Sequence, residues 1–167
     1  LLRPRRVKDA GQALREGRIS SVEHEAVLDA AIASAIASQE GVGLKIATDG
    51  EFGRSSWFGF FFEGLDGFRL APSHFRFKDA DGRAFEWPTC VAQARIRRHA
   101  PITLGEFERA GRHVRRAILK QTMPAPSAFH FFRLGQAVDP AAYADVTAYF
   151  DDLVAVYRAE LDELAKA

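Results

Sequence analysis

Apolar positions recur at helical spacing near the start of the chain. Val7 to Gly17 reads as a short helix, with Leu14 on its apolar side and Gly17 as the stop. A longer helix follows, with Ala26, Ala30, Ala33, Ile36 and Ala37 at helical spacing and Gly41 at the end. Ser20 and Glu23 form a capping box at its start. Its many alanines imply close packing against another surface. Leu44 to Thr48 reads as a short apolar strand that gives way to polar, turn-prone residues at Asp49. Trp57 to Leu70 is aromatic and glycine-rich without a clear period, and reads as loop with a short buried turn. Phe75–Lys78 and Arg83–Glu86 flank Asp79-Ala80-Asp81-Gly82 as an exposed β-hairpin. Cys90 to Ile96 is a further strand. Thr103 and Glu106 form a second capping box, opening a helix to about Arg116. Ile118 to Thr122 is a third core strand, closed by Met123-Pro124-Ala125-Pro126. Asp139-Pro140 starts a last helix, which carries Tyr143, Val146, Tyr149, Phe150, Leu153, Tyr157, Leu161 and Leu164 and runs to Ala167.

Strands separated by helices of ten or more residues point to a parallel α/β arrangement. A dinucleotide-binding doubly wound sheet wants its glycine fingerprint after the first strand. Gly41-Val42-Gly43 stands before one. The alternative is a partial (β/α)8 TIM-type barrel with an inserted β-hairpin, truncated at both ends. A whole barrel typically takes ~250 residues, against 167 here. The opening at Leu1 without methionine and the helix running to Ala167 read the same way. Residues 1–167 are therefore expected to form a single incomplete domain.

Composition narrows the function classes. The chain is 47% hydrophobic and 27% charged, as in an ordinary soluble globular protein. Lys+Arg 23 against Asp+Glu 22 leaves +1, so no strong field draws nucleic acid or an anionic membrane. The single cysteine, Cys90, excludes an internal disulfide framework and a zinc site built from several cysteines of this chain. A reducing cytoplasm is the natural setting. No apolar run approaches the ~20 residues of a membrane span.

In parallel α/β folds, ligands gather at the C-terminal ends of the strands. After the first strand comes Thr48-Asp49-Gly50-Glu51-Phe52-Gly53-Arg54-Ser55-Ser56-Trp57. Its carboxylates suit an ammonium group, its arginine can orient a carboxylate, and its glycines permit close backbone approach. After the third strand, two prolines stiffen a loop that carries Ser127 and His130.

Four segments in this order carry a resemblance: Leu1-Leu2-Arg3-Pro4, Gln39-Glu40-Gly41-Val42-Gly43-Leu44, Thr48-Asp49-Gly50-Glu51-Phe52-Gly53-Arg54 and Lys120-Gln121-Thr122-Met123-Pro124-Ala125-Pro126. The set resembles the first half of the catalytic barrel of the cobalamin-independent methionine synthase family, especially its shorter, single-barrel bacterial members. The resemblance implies an S-methyltransferase of methionine biosynthesis in the intact protein, with this piece alone inactive. The methyl group moves from a methylated pterin to a homocysteine-like thiol held on zinc, which favours the thiolate. It implies substrate contact through Glu51, a related place for Asp49 where the synthase proper has histidine, and a bracing role for Arg54. His130 falls near an aromatic residue of the family's pterin site. The zinc ligands are expected beyond Ala167, with no metal bound by this piece, and the catalytic residues stay unassigned. Other readings are a barrel of the same superfamily, of uroporphyrinogen-decarboxylase or coenzyme M transferase type, or a non-catalytic amino acid or pterin module.

The remaining features have plainer readings. Cys90, inside a strand, is a small buried hydrophobe rather than a nucleophile. His24, His74, His99, His113 and His130 include no pair at zinc-ligand spacing on one helix. The Arg95–His99 cluster reads as a solvated strand end, and Arg112–Arg116 as the cationic last turn of a helix. Trp57 to Phe62 reads as an apolar wall suited to a pterin ring.

Overall fold

The computed structural model describes residues 2–54 and 56–167, with the backbone alone at residues 86 and 87. Leu1, in the opening segment, and Ser55, in the loop after the first strand, lie outside the described residues. The chain is a mixed α/β fold of two compact units, Leu1–Ser55 with Thr103–Thr122, and Ser56–Ile102 with Met123–Ala167.

The first unit packs three helices and two short strands. Helix α1 spans Arg5–Arg15 and α2 spans Ser21–Gly41. At the start of α2, Ser20 Oγ accepts from Glu23 N while the Glu23 carboxylate accepts from Ser20 N, as the capping-box reading requires. Strand β1 (Ile46–Ala47) is shorter than the expected Leu44–Thr48. Val7, Leu28, Ala31, Ile32, Ile36, Ala47, Phe52 and Ala110 form this unit's core.

The second unit corrects several expectations. Within the expected loop Trp57–Leu70, Gly59–Glu63 is a short helix, α3, and a long strand, β2 (Leu65–Lys78), begins there and runs on through the expected hairpin arm Phe75–Lys78. Strand β3 (Ala84–Arg98) absorbs both the hairpin arm and the separate strand expected at Cys90–Ile96, and pairs antiparallel with β2 from end to end. The long pairing tolerates two register shifts. Gly67 sits at one of them with φ 92°, where an added Cβ would lie 2.6 Å from the Arg95 carbonyl oxygen, so only glycine fits there. On the other side of β3, Ala92 bridges Val138 in parallel.

Back in the first unit, α4 spans Leu104–Gly111. Arg112 is its C-cap, so the basic Arg112–Arg116 run follows the last helical turn rather than forming it. Thr103 makes no side-chain capping bond to the helix, and Glu106 is bound to Arg54 instead. Strand β4 (Ile118–Leu119) pairs parallel with β1, Ile46 beside Ile118 and Ala47 beside Leu119. These two strands are parallel as expected, whereas the third expected core strand, Cys90–Ile96, lies in β3 and pairs antiparallel with β2, and the described residues form no closed barrel.

In the second unit, α5 spans Ala128–Phe131 and α6 spans Val146–Leu164. Helix α6 starts later than Asp139-Pro140 because Asp139 closes a turn, its carboxylate accepting from Ala141 N and its carbonyl from Ala142 and Tyr143 N. Asp145 is the real N-cap, accepting from Ala148 N. The helix also stops at Leu164 rather than continuing to Ala167. Phe61, Leu65, Cys90, Ala92, Ile96, Phe129, Tyr149, Leu153 and Val156 form this unit's core.

The basic run of the first unit has a structural use. One oxygen of the Glu40 carboxylate accepts from the backbone N–H groups of Arg115, Arg116 and Ala117, at 2.9, 2.7 and 2.9 Å. These donors, Ala117 first, hold the Glu40 carboxyl down at about 2, well below its ordinary 4.5. A depressed carboxyl stabilises the fold above its unfolded value and loses that contribution as pH falls towards the folded one. The stability gap between the unaltered chain and Glu40→Gln is therefore expected to be full near neutrality and to close between about pH 4.5 and 2. Urea unfolding across that window checks this; a gap that does not change with pH contradicts it.

Candidate functional site

The loop leaving β1 turns sharply. Gly50 has φ 78°, and its α-carbon faces the Phe52 ring so closely that an added Cβ would lie 2.7 Å from Cε1. Glu51 follows with φ 59°, an uncommon conformation for a residue with a side chain and one that concentrates at functional sites. Asp49, 6% exposed, secures the turn by accepting from Glu51 N at 2.9 Å. The turn lifts the Glu51 side chain to the surface, where it is 36% exposed.

Behind it lies Arg54, whose side chain is 1% exposed. Its guanidinium meets the Glu106 carboxylate through Nε at 3.1 Å and Nη2 at 2.8 Å. Nη1 donates to Thr122 Oγ1 at 3.0 Å and Nη2 to the Thr122 carbonyl at 2.7 Å. Thr122 Oγ1 in turn donates a hydrogen bond to Glu51 Oε1 at 2.7 Å, and Arg54 Nη1 lies 3.2 Å from the same oxygen. Gln121 Nε2 donates to Glu106, and Arg3 Nη2 donates to the carbonyls of Glu51 and Arg54. One carboxylate oxygen of Glu51 is thus fixed from behind on a rigid turn. Such a group is suited to hold a cation with hydrogen-bonding protons, above all an ammonium.

The first unit therefore brings Asp49, Glu51 and Arg54 together. Glu106 and Thr122 complete the cluster, and both were missed in the sequence. Glu106 matched a capping box, and Thr122 was read only as the end of a strand. The available signal for Thr122 was its place just past a parallel strand. His130 belongs to the second unit, its ring centroid 6.2 Å from Tyr149 and 5.5 Å from Phe150. Also in that unit, Trp57, Phe77, Phe85 and Phe132 line a cavity of about 160 Å³, while Phe58 and Phe61 are buried. Only Trp57 of the aromatic run thus lines that cavity.

Cys90 is buried in β3, and burial pushes its thiol up to about 12. Among the described residues no three His, Cys, Asp or Glu side chains are grouped to hold a metal ion, so they offer no donor set for zinc. In the Arg95–His99 cluster, Arg95 pairs with Asp152 and Arg98 with Glu160 and Glu163, and His99 Nδ1 lies 3.5 Å from an Asp66 carboxylate oxygen. That pairing leaves little of a free basic patch. No helix among the described residues is long and apolar enough to cross a membrane.

Known proteins share this fold and sequence. The chain is 30% identical over 163 residues to the uncharacterized protein YxjH of Bacillus subtilis, covering 95% of this chain and 41% of that protein. It is 31% identical over 104 residues to the 5-methyltetrahydropteroyltriglutamate–homocysteine methyltransferase of a Synechococcus species, covering 62% of this chain and 13% of that enzyme. In structure it resembles a protein of Listeria monocytogenes provisionally named a vitamin-B12-independent methionine synthase. The TM-score is 0.72 at 24% identity, over 97% of this chain and 46% of that one. A B12-independent methionine synthase of a Shewanella species, solved with selenomethionine, gives a TM-score of 0.65 at 16% identity, over 89% of this chain and 41% of that one. The chain thus spans less than half the length of these relatives. Residues 4–167 match the description "cobalamin-independent synthase, catalytic domain", and the chain belongs to that family.

Proposed function

We propose that this chain supplies the amino-acid-binding pole of an S-methyltransferase barrel, in which Glu51 receives the ammonium group of a homocysteine-like substrate. The observation that carries the reading is the geometry of Glu51. Its left-handed backbone raises the carboxylate while Thr122 and Arg54 fix one oxygen from behind. Asp49 holds the turn and Arg54 the carboxylate, so these two act by positioning. His130, beside Tyr149 and Phe150, is the candidate for contact with the pterin ring. The two parallel strands β1 and β4 belong to the barrel sheet, and the β2–β3 hairpin is its insertion. The described residues offer no zinc donor set, and activation of the thiol is assigned to none of them.

Removing the charge of Glu51 tests the reading. Losing a charge-assisted hydrogen bond costs about 1.5–3 kcal/mol, roughly tenfold or more in affinity. Glu51→Gln in the full-length protein is expected to weaken L-methionine binding by that factor in a calorimetric titration, with the thermal midpoint little changed. Equal affinity for the two proteins would contradict the role.

A further inference from the structure

Among the side chains bonded into the Glu51 cluster, acidic groups outnumber basic ones. Arg3 and Arg54 bring two positive charges to the cluster. Asp49, Glu51 and Glu106 bring three negative ones. Without Glu106 that count would be even, and Glu51 would remain as an acidic side chain beside Arg54. With Glu106 present, the Nε–Nη2 edge of the guanidinium is engaged by a second carboxylate at 3.1 and 2.8 Å, and Gln121 steadies that carboxylate at 3.1 Å. Only Nη1 lies beside Glu51, at 3.2 Å, and it also donates to Thr122.

From this arrangement we infer that Glu106 is a positioning and charge-setting residue, which occupies Arg54 so that the Glu51 carboxylate keeps an unneutralised charge for a ligand ammonium. The inference rests on the reading of Glu51 given above. Glu106 need not touch the ligand. It acts through Arg54, whose burial keeps the pair's attraction from being screened by solvent or salt. A neutral side chain in its place leaves Arg54 free to swing fully onto Glu51, closing an ion pair where the ammonium should sit. The selectivity of the site for amino compounds over their des-amino analogues therefore depends on Glu106, 52 residues away from Arg54 in sequence.

The test is a set of titrations on the full-length protein, with L-methionine and its des-amino analogue as probes. Glu106→Gln is expected to weaken L-methionine binding about tenfold, while the des-amino analogue changes by less than about twofold. Glu106→Asp, which restores the charge, is expected to recover most of the lost affinity for L-methionine. Equal weakening of both probes would assign Glu106 a structural role only and overturn the inference. Loss of L-methionine binding in Glu51→Gln with unchanged binding in Glu106→Gln would overturn the inference and leave the reading of Glu51 standing. Unchanged binding in Glu51→Gln, or no binding by the unaltered protein, would overturn both.

Discussion

Replacing Arg54 with methionine is expected to destabilise the chain by about 3 kcal/mol. The side chain is 1% exposed and links three places in the sequence: the turn at Glu51, helix α4 through Glu106, and the segment after β4 through Thr122. Methionine approximates its volume but leaves the Glu106 carboxylate, 23% exposed, without its partner. The Thr122 carbonyl loses a donor as well. Breaking a buried pair from one side usually costs ~3–5 kcal/mol. Partial exposure of both carboxylates puts the effect at the lower end. Urea unfolding checks the figure, and a change below about 1 kcal/mol would mean that water replaces the guanidinium without penalty.

The same physics acts in the second unit, around Glu160. This carboxylate is fully buried on α6 and accepts from Arg98 Nη1 at 2.6 Å and from Ile102 N at 3.0 Å. Glu160→Ala removes these bonds and opens a void. The expected loss is about 3 kcal/mol, since Glu163 still holds Arg98 through both Nη atoms. Glu160→Gln keeps an acceptor for Ile102 N and is expected to cost less. Comparing the two variants by thermal unfolding checks this, and an equal loss would mean that the charge alone matters.

Local signals decided how much of this was legible. The Ser20–Glu23 box was readable because both partners lie within one turn and on the surface. The Thr103–Glu106 pair has the same spacing, yet Arg54 outcompetes the helix terminus for the Glu106 carboxylate. A pattern spanning four residues cannot reveal a partner 52 positions away. The β2–β3 hairpin was read as a hairpin at its tip, where Asp79 and Gly82 mark the turn, and part of β3 was read as a separate strand at Cys90–Ile96. Its base was hidden because Gly67, Pro72 and Pro88 interrupt the alternation on which strand reading depends. Asp139-Pro140 carried a strong start signal, but Asp139 spends it on a turn and Asp145 caps α6.

The candidate site was half legible. Asp49, Glu51 and Arg54 lie together in one loop past a strand, so position alone pointed to them. The left-handed backbone at Glu51 was not readable, because glycine at position 50 advertises such a turn while glutamate at 51 does not. Glu106 and Thr122 reach the site through tertiary packing, from α4 and from the segment that follows β4.

A crystal structure of the full-length protein with L-methionine tests the central claim most directly. The expected result places the amino nitrogen of the ligand within hydrogen-bond distance of the Glu51 carboxylate, with Thr122 and Arg54 still on its inner oxygen. A ligand whose amino group is held by other residues, with Glu51 facing solvent, would contradict the account.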